Sequence, residues 1–280
     1  MNFLQPLFFV FICVGMSTNP ILHSASTSNR EATPSFVISA CSGRDMFNTL
    51  LYYLEHASSY KSNGYRAPFP SYPQFKELEE HPETIPTVDK EPYFKRFVDE
   101  IYKPLDLTPL QKLLTDNLEL LKTALDSLRK LKEKWGFKIS PQYTIFPTLY
   151  GVGGSYNASL GYINLKIYVT GPQTYQLPPF PETIIHEMIH IGIEDIIVKQ
   201  FRLTQWETEG LVDLIAELYL NIRDFLPNYK NQIPDSKIQP ADNKRIREFI
   251  TLEKICDNLP EAIKEYVTRY PRDQKQGMKL

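Results

Sequence analysis

The chain lacks a strong charge of either sign. Its 31 lysines and arginines stand against 33 acids in 280 residues, a formal net charge of −2. A nucleic-acid surface needs a clustered basic face. The late basic run, Lys244–Arg245 with Arg247, is interleaved with acids and reads as a solvated helix face. Nucleic acid is therefore not an expected partner. Long apolar runs are missing too. The most compact one, LFFVFICV at 7–14, falls well short of the roughly 20 residues a membrane-spanning helix needs. Cysteine is scarce, with three in all. If Cys13 leaves with a signal peptide, Cys41 and Cys256 are the one pair left that could form a disulfide in an oxidising compartment. No internal repeat is visible.

The apolar run at 7–14 precedes small and polar residues, with cleavage sites near Ser17 or Ala25–Ser26, and reads as a signal peptide. The expectation is a secreted or cell-envelope (periplasmic) protein, with residues 1–26 as leader and the segment up to 40 as a flexible lead-in. Cys41 closes an ISAC box, but polar sequence separates it from the apolar run, so it is not read as a lipid attachment site. Asn157 lies in an Asn-Ala-Ser sequon, which matters only in a eukaryotic host.

The rest has an ordinary globular composition, 42% hydrophobic and 23% charged. Helical spacing covers 45–57 and 93–102, with a Pro- and Tyr-rich connector between them. The strongest helix is 109–135. Pro109 stands at its first position behind Thr108, and Gly136 follows its end. Its stripe of Leu110, Leu114, Leu118, Leu121, Leu125, Leu128 and Trp135 reads as core packing rather than a coiled coil. From Gly136 the pattern turns β-like, at 137–146 and 159–170, with the Gly-rich stretch YGVGGSYN at 150–157 between. The expected class is α+β: a helical N-terminal region, 27–136, then a region at 137–280 with a small sheet and the helices that carry the motifs.

In the helix that Pro181 opens, His186 and His190 are four residues apart and share one face, so both can reach a single ion. Glu187 is rotated by about 100° from them and projects beside such an ion, where a base must stand. Two later glutamates compete to be the third ligand. Thr204 and Glu207 form a capping box, which gives Glu207 a local duty at a helix start. Glu209 has none, yet it shares a face with Asp213, Ala216 and Leu220, while Gly210, Glu217 and Asn221 read as the exposed stripe. Buried carboxylates need a cation or hydrogen bonds. The expected set is therefore His186, His190 and Glu209 on one zinc ion per chain, with Asp213 accepting a proton from a ligand imidazole.

His186-Glu187-x-x-His190, 18 further residues, Glu209, and the segment WETEGLVD together resemble the gluzincin zinc peptidases, the thermolysin and aminopeptidase-N group. The resemblance covers roughly 150–222; the N-terminal half matches no known family. It implies hydrolysis of peptide bonds in peptide or protein substrates, with Glu187 as the base for a zinc-activated water. It also implies that Gly153, Gly154, Ser155 and Tyr156 form an edge strand that holds peptide by β-addition, though the same stretch reads equally as a Gly-rich hairpin. Two absences bear on the likeness. The Gly-rich stretch has no glutamate to capture a substrate amino terminus, which favours an endopeptidase over an aminopeptidase. No histidine follows His190, so a tyrosine is expected at the oxyanion, among Tyr156, Tyr162, Tyr229 and Tyr266. Two other readings stand beside this one. A catalytically weak zinc-binding relative would keep the site for a structural or protein-binding role, and a metal-free helical binding protein would have no site at all.

Overall fold

The computed structural model describes residues 34–62, 75–102, 105–151, 153–171, 174–176, 179–227 and 241–271. The leader, residues 64–74 of the Pro/Tyr connector and Tyr229 fall outside these residues. In chain order the elements are β1 (Ser35–Ile38), α1 (Gly43–Glu55), α2 (Ala57–Ser62), α3 (Lys76–Glu80), α4 (Glu91–Arg96), α5 (Thr108–Trp135), β2 (Gln142–Thr148), β3 (Gly154–Asn157), β4 (Tyr162–Lys166), β5 (Tyr168–Gly171), β6 (Thr174–Gln176), α6 (Phe180–Ile193), α7 (Gln205–Leu214), α8 (Ile222–Phe225), α9 (Ala241–Phe249) and α10 (Leu252–Arg269). The class is α+β, as the sequence indicates. No helix among the described residues is long and apolar enough to cross a membrane.

Four strands form a mixed sheet in the order β1-β2-β4-β3, with β1, β2 and β4 parallel and β3 antiparallel to β4. β5 and β6 form a separate antiparallel pair. β1 is a correction to the flexible lead-in read from the sequence. Its four residues have too little alternation to announce a strand, and a tertiary contact fixes them: Phe36 stacks on Tyr143 of β2 with ring centroids 5.5 Å apart.

Buried side chains fall into two clusters. One is built from Phe47 of α1, Phe75 just before α3 and Phe97 just after α4, and takes in Tyr150 from the turn after β2. The other gathers the sheet with α5, α6, α7, α9 and α10. Helix α5 therefore packs with the motif region, although the sequence reading groups it with the N-terminal helices. Trp135 Nε1 also ties it to α10 by donating to Ile255 O at 2.8 Å. Gly136, at φ 88°, ends α5 in the left-handed conformation, as its position implies. The first cluster buttresses the Gly-rich turn. The Tyr53 ring lies where a side chain on Gly151 would stand, and Lys166 Nζ donates to Gly151 O at 2.6 Å.

Two readings left open by the sequence are narrowed. Cys41 and Cys256 are not joined in a disulfide; Cys41 packs against the N-terminal cluster, while Cys256 lies on α10. The Asn157 side chain is buried, and its Oδ1 accepts from Ser159 N, Ser159 Oγ and Leu160 N, so it is a turn-forming residue rather than an exposed sugar acceptor.

Helix α6 is buried along its whole face on the sheet and α5. Its contact with Phe137 is close enough that a methyl on Gly192 would overlap the Phe137 ring. Gly192→Ala is expected to cost about 1–3 kcal/mol through overpacking, against about 1 kcal/mol gained from helix propensity. The thermal midpoint should fall, and Phe137→Leu in the same chain should recover part of the loss. An unchanged midpoint would contradict this packing.

Candidate metal centre

Helix α6 runs unbroken through the histidine pair because Pro181 sits in its first turn and every following residue is compatible with helix. Helix α7 begins at the capping box read from the sequence. Thr204 Oγ1 accepts from Glu207 N at 3.3 Å, and Glu207 Oε2 accepts from Thr204 N at 2.7 Å. The buried Glu207 has a second duty, accepting from the Tyr266 hydroxyl at 3.0 Å. It is therefore fully committed to structure.

Glu209, two residues on, turns toward α6. Its Oε2 lies 3.2 Å from His186 Nε2 and 3.5 Å from His190 Nε2, and the two Nε2 atoms are 3.0 Å apart. These are the separations a shared ion would impose. Tetrahedral zinc with bonds of about 2.0–2.1 Å puts its ligand atoms roughly 3.3–3.4 Å from one another. His186, His190 and Glu209 are also the one group of metal-ligating side chains of this kind among the described residues. All three are at least 94% buried. Two imidazoles and a carboxylate in a dry core are costly without a partner, so the donor set fits a zinc ion. The sequence reading also left Gln205 unused. Its Nε2 donates to Glu209 Oε1 at 2.6 Å from one turn earlier, which leaves Oε2 for the imidazoles.

Glu187 is buried next to this group but is not part of it. The backbone of β3 passes so close that a side chain on Gly154 would overlap the Glu187 carboxylate. Burial raises the Glu187 carboxyl to about 8, with Glu209 adding to the rise and His186 opposing it. Burial also pushes the Glu209 carboxyl up, but the charges and hydrogen bonds of His190 and His186 outweigh it and hold the group well below the ordinary range. The two carboxylates thus differ by environment, Glu209 held ionised and Glu187 inclined to hold a proton.

Asp213 lies behind His186. Its Oδ1 is 3.9 Å from His186 Nδ1, longer than a hydrogen bond, so the expected proton acceptance from the ligand imidazole is not made here. On its far side Arg247 NH1 is 3.6 Å from Asp213 Oδ2, and Arg247 NH2 bonds Glu217 Oε2 at 2.6 Å. This corrects the reading of Arg247 as part of a solvated face. Lys244 and Arg245 make surface pairs with Glu248 and Asp242, while Arg247 points inward. Gly210 is a related correction: it is buried, because Asn243 and Ile246 of α9 pack on the stripe that looked exposed.

The tyrosine expected at the oxyanion is not found among the described candidates. The Tyr156 hydroxyl donates to Glu194 Oε2 at 2.8 Å, the Tyr162 ring packs edge-on against Phe146, and the Tyr266 hydroxyl is bound to Glu207. Comparison of the chain with protein-family models, characterised proteins and solved structures returns no match. The centre is defined by its own geometry.

The two glutamates of α7 separate by experiment. Glu207→Ala is expected to lower stability by roughly 1–3 kcal/mol through the lost cap and the unpaired Tyr266 hydroxyl, while binding one zinc per chain. Glu209→Ala is expected to bind none. Metal analysis and melting curves of the two variants check this; full zinc in Glu209→Ala would contradict the ligand assignment.

Proposed function

We propose that the chain is a zinc-dependent metallopeptidase of gluzincin type, acting on peptide or protein substrates and more as an endopeptidase than as an aminopeptidase. The observation that carries this reading is the position of Glu187. It stands beside a complete three-ligand group, and the edge of the sheet runs against it. A closed structural zinc site uses four protein ligands and has no need of an acid placed alongside, whereas three ligands leave a position open.

The edge strand supports the same reading. Gly153 O accepts from Lys166 N at 3.0 Å, which makes those two a hydrogen-bonded pair. In an antiparallel ladder such pairs alternate, so Ser155 and Asn164 form the next one. The N–H and C=O groups of Gly154 and Tyr156 therefore point away from β4, toward the side where no other described strand lies. An extended peptide added there would run past Glu187. Gly154 has a reason to be glycine, since a larger residue would push into that carboxylate.

His186, His190 and Glu209 would hold a zinc ion, which would supply Lewis-acid activation of water. The work of this chain's own residues follows. Glu187 takes a proton from the attacking water as its oxygen bonds the peptide carbonyl carbon, then gives it to the amide nitrogen as the carbon–nitrogen bond breaks. Gln205 holds the outer oxygen of Glu209 and so keeps its carboxylate aimed at the two imidazoles. The expected setting is extracytoplasmic, on the strength of the apolar leader at 7–14.

Glu187→Gln keeps the size of the side chain and removes the base. Hydrolysis of an unfolded protein substrate is expected to fall by roughly 10²–10⁴-fold, with zinc content unchanged. Retained hydrolysis at full zinc occupancy would rule out Glu187 as the base.

A further inference from the structure

Tyr156 is the one residue of β3 whose side chain meets a metal-ligating side chain of α6 face to face. Its ring lies on the His190 imidazole with centroids 4.8 Å apart and planes 14° apart. Its hydroxyl donates to Glu194 Oε2 at 2.8 Å, one helical turn beyond His190. The tyrosine is thus fixed at two points, by the β3–β4 pairing of its neighbours Ser155 and Asn157 and by Glu194 at its tip.

His190 needs such a partner. A ligating imidazole is ordinarily oriented by a hydrogen bond from its second nitrogen. Yet His190 Nδ1 is buried with no hydrogen-bond partner. The side chain retains rotation about its Cβ–Cγ bond, which is a broad torsion for an aromatic ring. Rotation would carry Nε2 away from Glu209 and His186. A flat ring stacked, with an offset, on the imidazole opposes that rotation.

From these contacts we infer that Tyr156 is a positioning residue for His190. Its ring sets the plane of the imidazole in place of the missing hydrogen bond, and Glu194 locks the ring. The inference rests on the reading of His186, His190 and Glu209 as a zinc site. It also gives the hydroxyl a structural task, so Tyr156 is not the group that stabilises the oxyanion.

The test is zinc affinity of the full chain, measured by competition with a chromophoric chelator, for wild type, Tyr156→Phe and Tyr156→Leu. The Phe variant keeps the flat face but loses the Glu194 contact, and should bind much nearer to wild type than to the Leu variant. The Leu variant should bind about 10–100-fold more weakly, the usual cost of losing a group that orients a ligand. Cobalt(II) loading adds a readout that general destabilisation would not move: the visible absorption bands should change shape in the Leu variant and return in the Phe variant. Should the Leu variant fail to fold, Tyr156→Met replaces it, as it fills the space without a flat face. Wild-type affinity in the Leu or Met variant overturns the inference, and so does a Phe variant as weak as Leu, which would assign the effect to the hydroxyl. If wild type itself binds no zinc, the site reading fails and this inference with it.

Discussion

A buried carboxylate facing two buried imidazoles is the constraint on which the rest of this structure depends. Glu209, His186 and His190 would be costly in a dry core unless something cationic joined them. Their three contact atoms already stand at separations close to those of a tetrahedral zinc shell. Around that group the fold spends its polar contacts on orientation. Gln205 holds the outer oxygen of Glu209, Tyr156 lies on His190, and Asp213 stands behind His186 with Arg247 beyond it. The Thr204–Glu207 box and the Tyr266 hydroxyl fix the start of the helix that delivers Glu209.

Much of the centre is legible in the sequence because local rules decide it. Four-residue spacing puts His186 and His190 on one face, and the capping box gives Glu207 other work, leaving Glu209 to face the two imidazoles. Gln205 was within reach by the same logic, being one turn before Glu209. What the sequence does not show depends on where α9 lands. Gly210 looks exposed and Arg247 looks solvated until α9 packs across α7, burying the first and turning the second inward. The strand β1 is missed for a similar reason, since its order comes from pairing with β2 and not from its own pattern. Tyr156 appears among the oxyanion candidates, and only tertiary contact reveals that Glu194 has claimed its hydroxyl.

The N-terminal helices, which resemble nothing by sequence, have a physical place in this account. Their apolar cluster takes in Tyr150, and Tyr53 packs beneath Gly151, so they support the turn that leads into β3. From the other side, Lys166 fixes the carbonyl of the same glycine. The short edge strand that crosses Glu187 is thus held at its entry by one cluster and along its length by α6. Its path matters most at Gly154, where backbone and carboxylate are in contact.

The most direct measurement of the central claim is zinc K-edge X-ray absorption on the purified chain, after zinc is supplied and the excess removed. The account predicts one retained zinc in a shell of nitrogen and oxygen at about 2.0–2.2 Å, with the outer-shell signature of two imidazoles and no sulfur. No retained zinc, or a sulfur distance near about 2.3 Å that brings in Cys41 or Cys256, would contradict it.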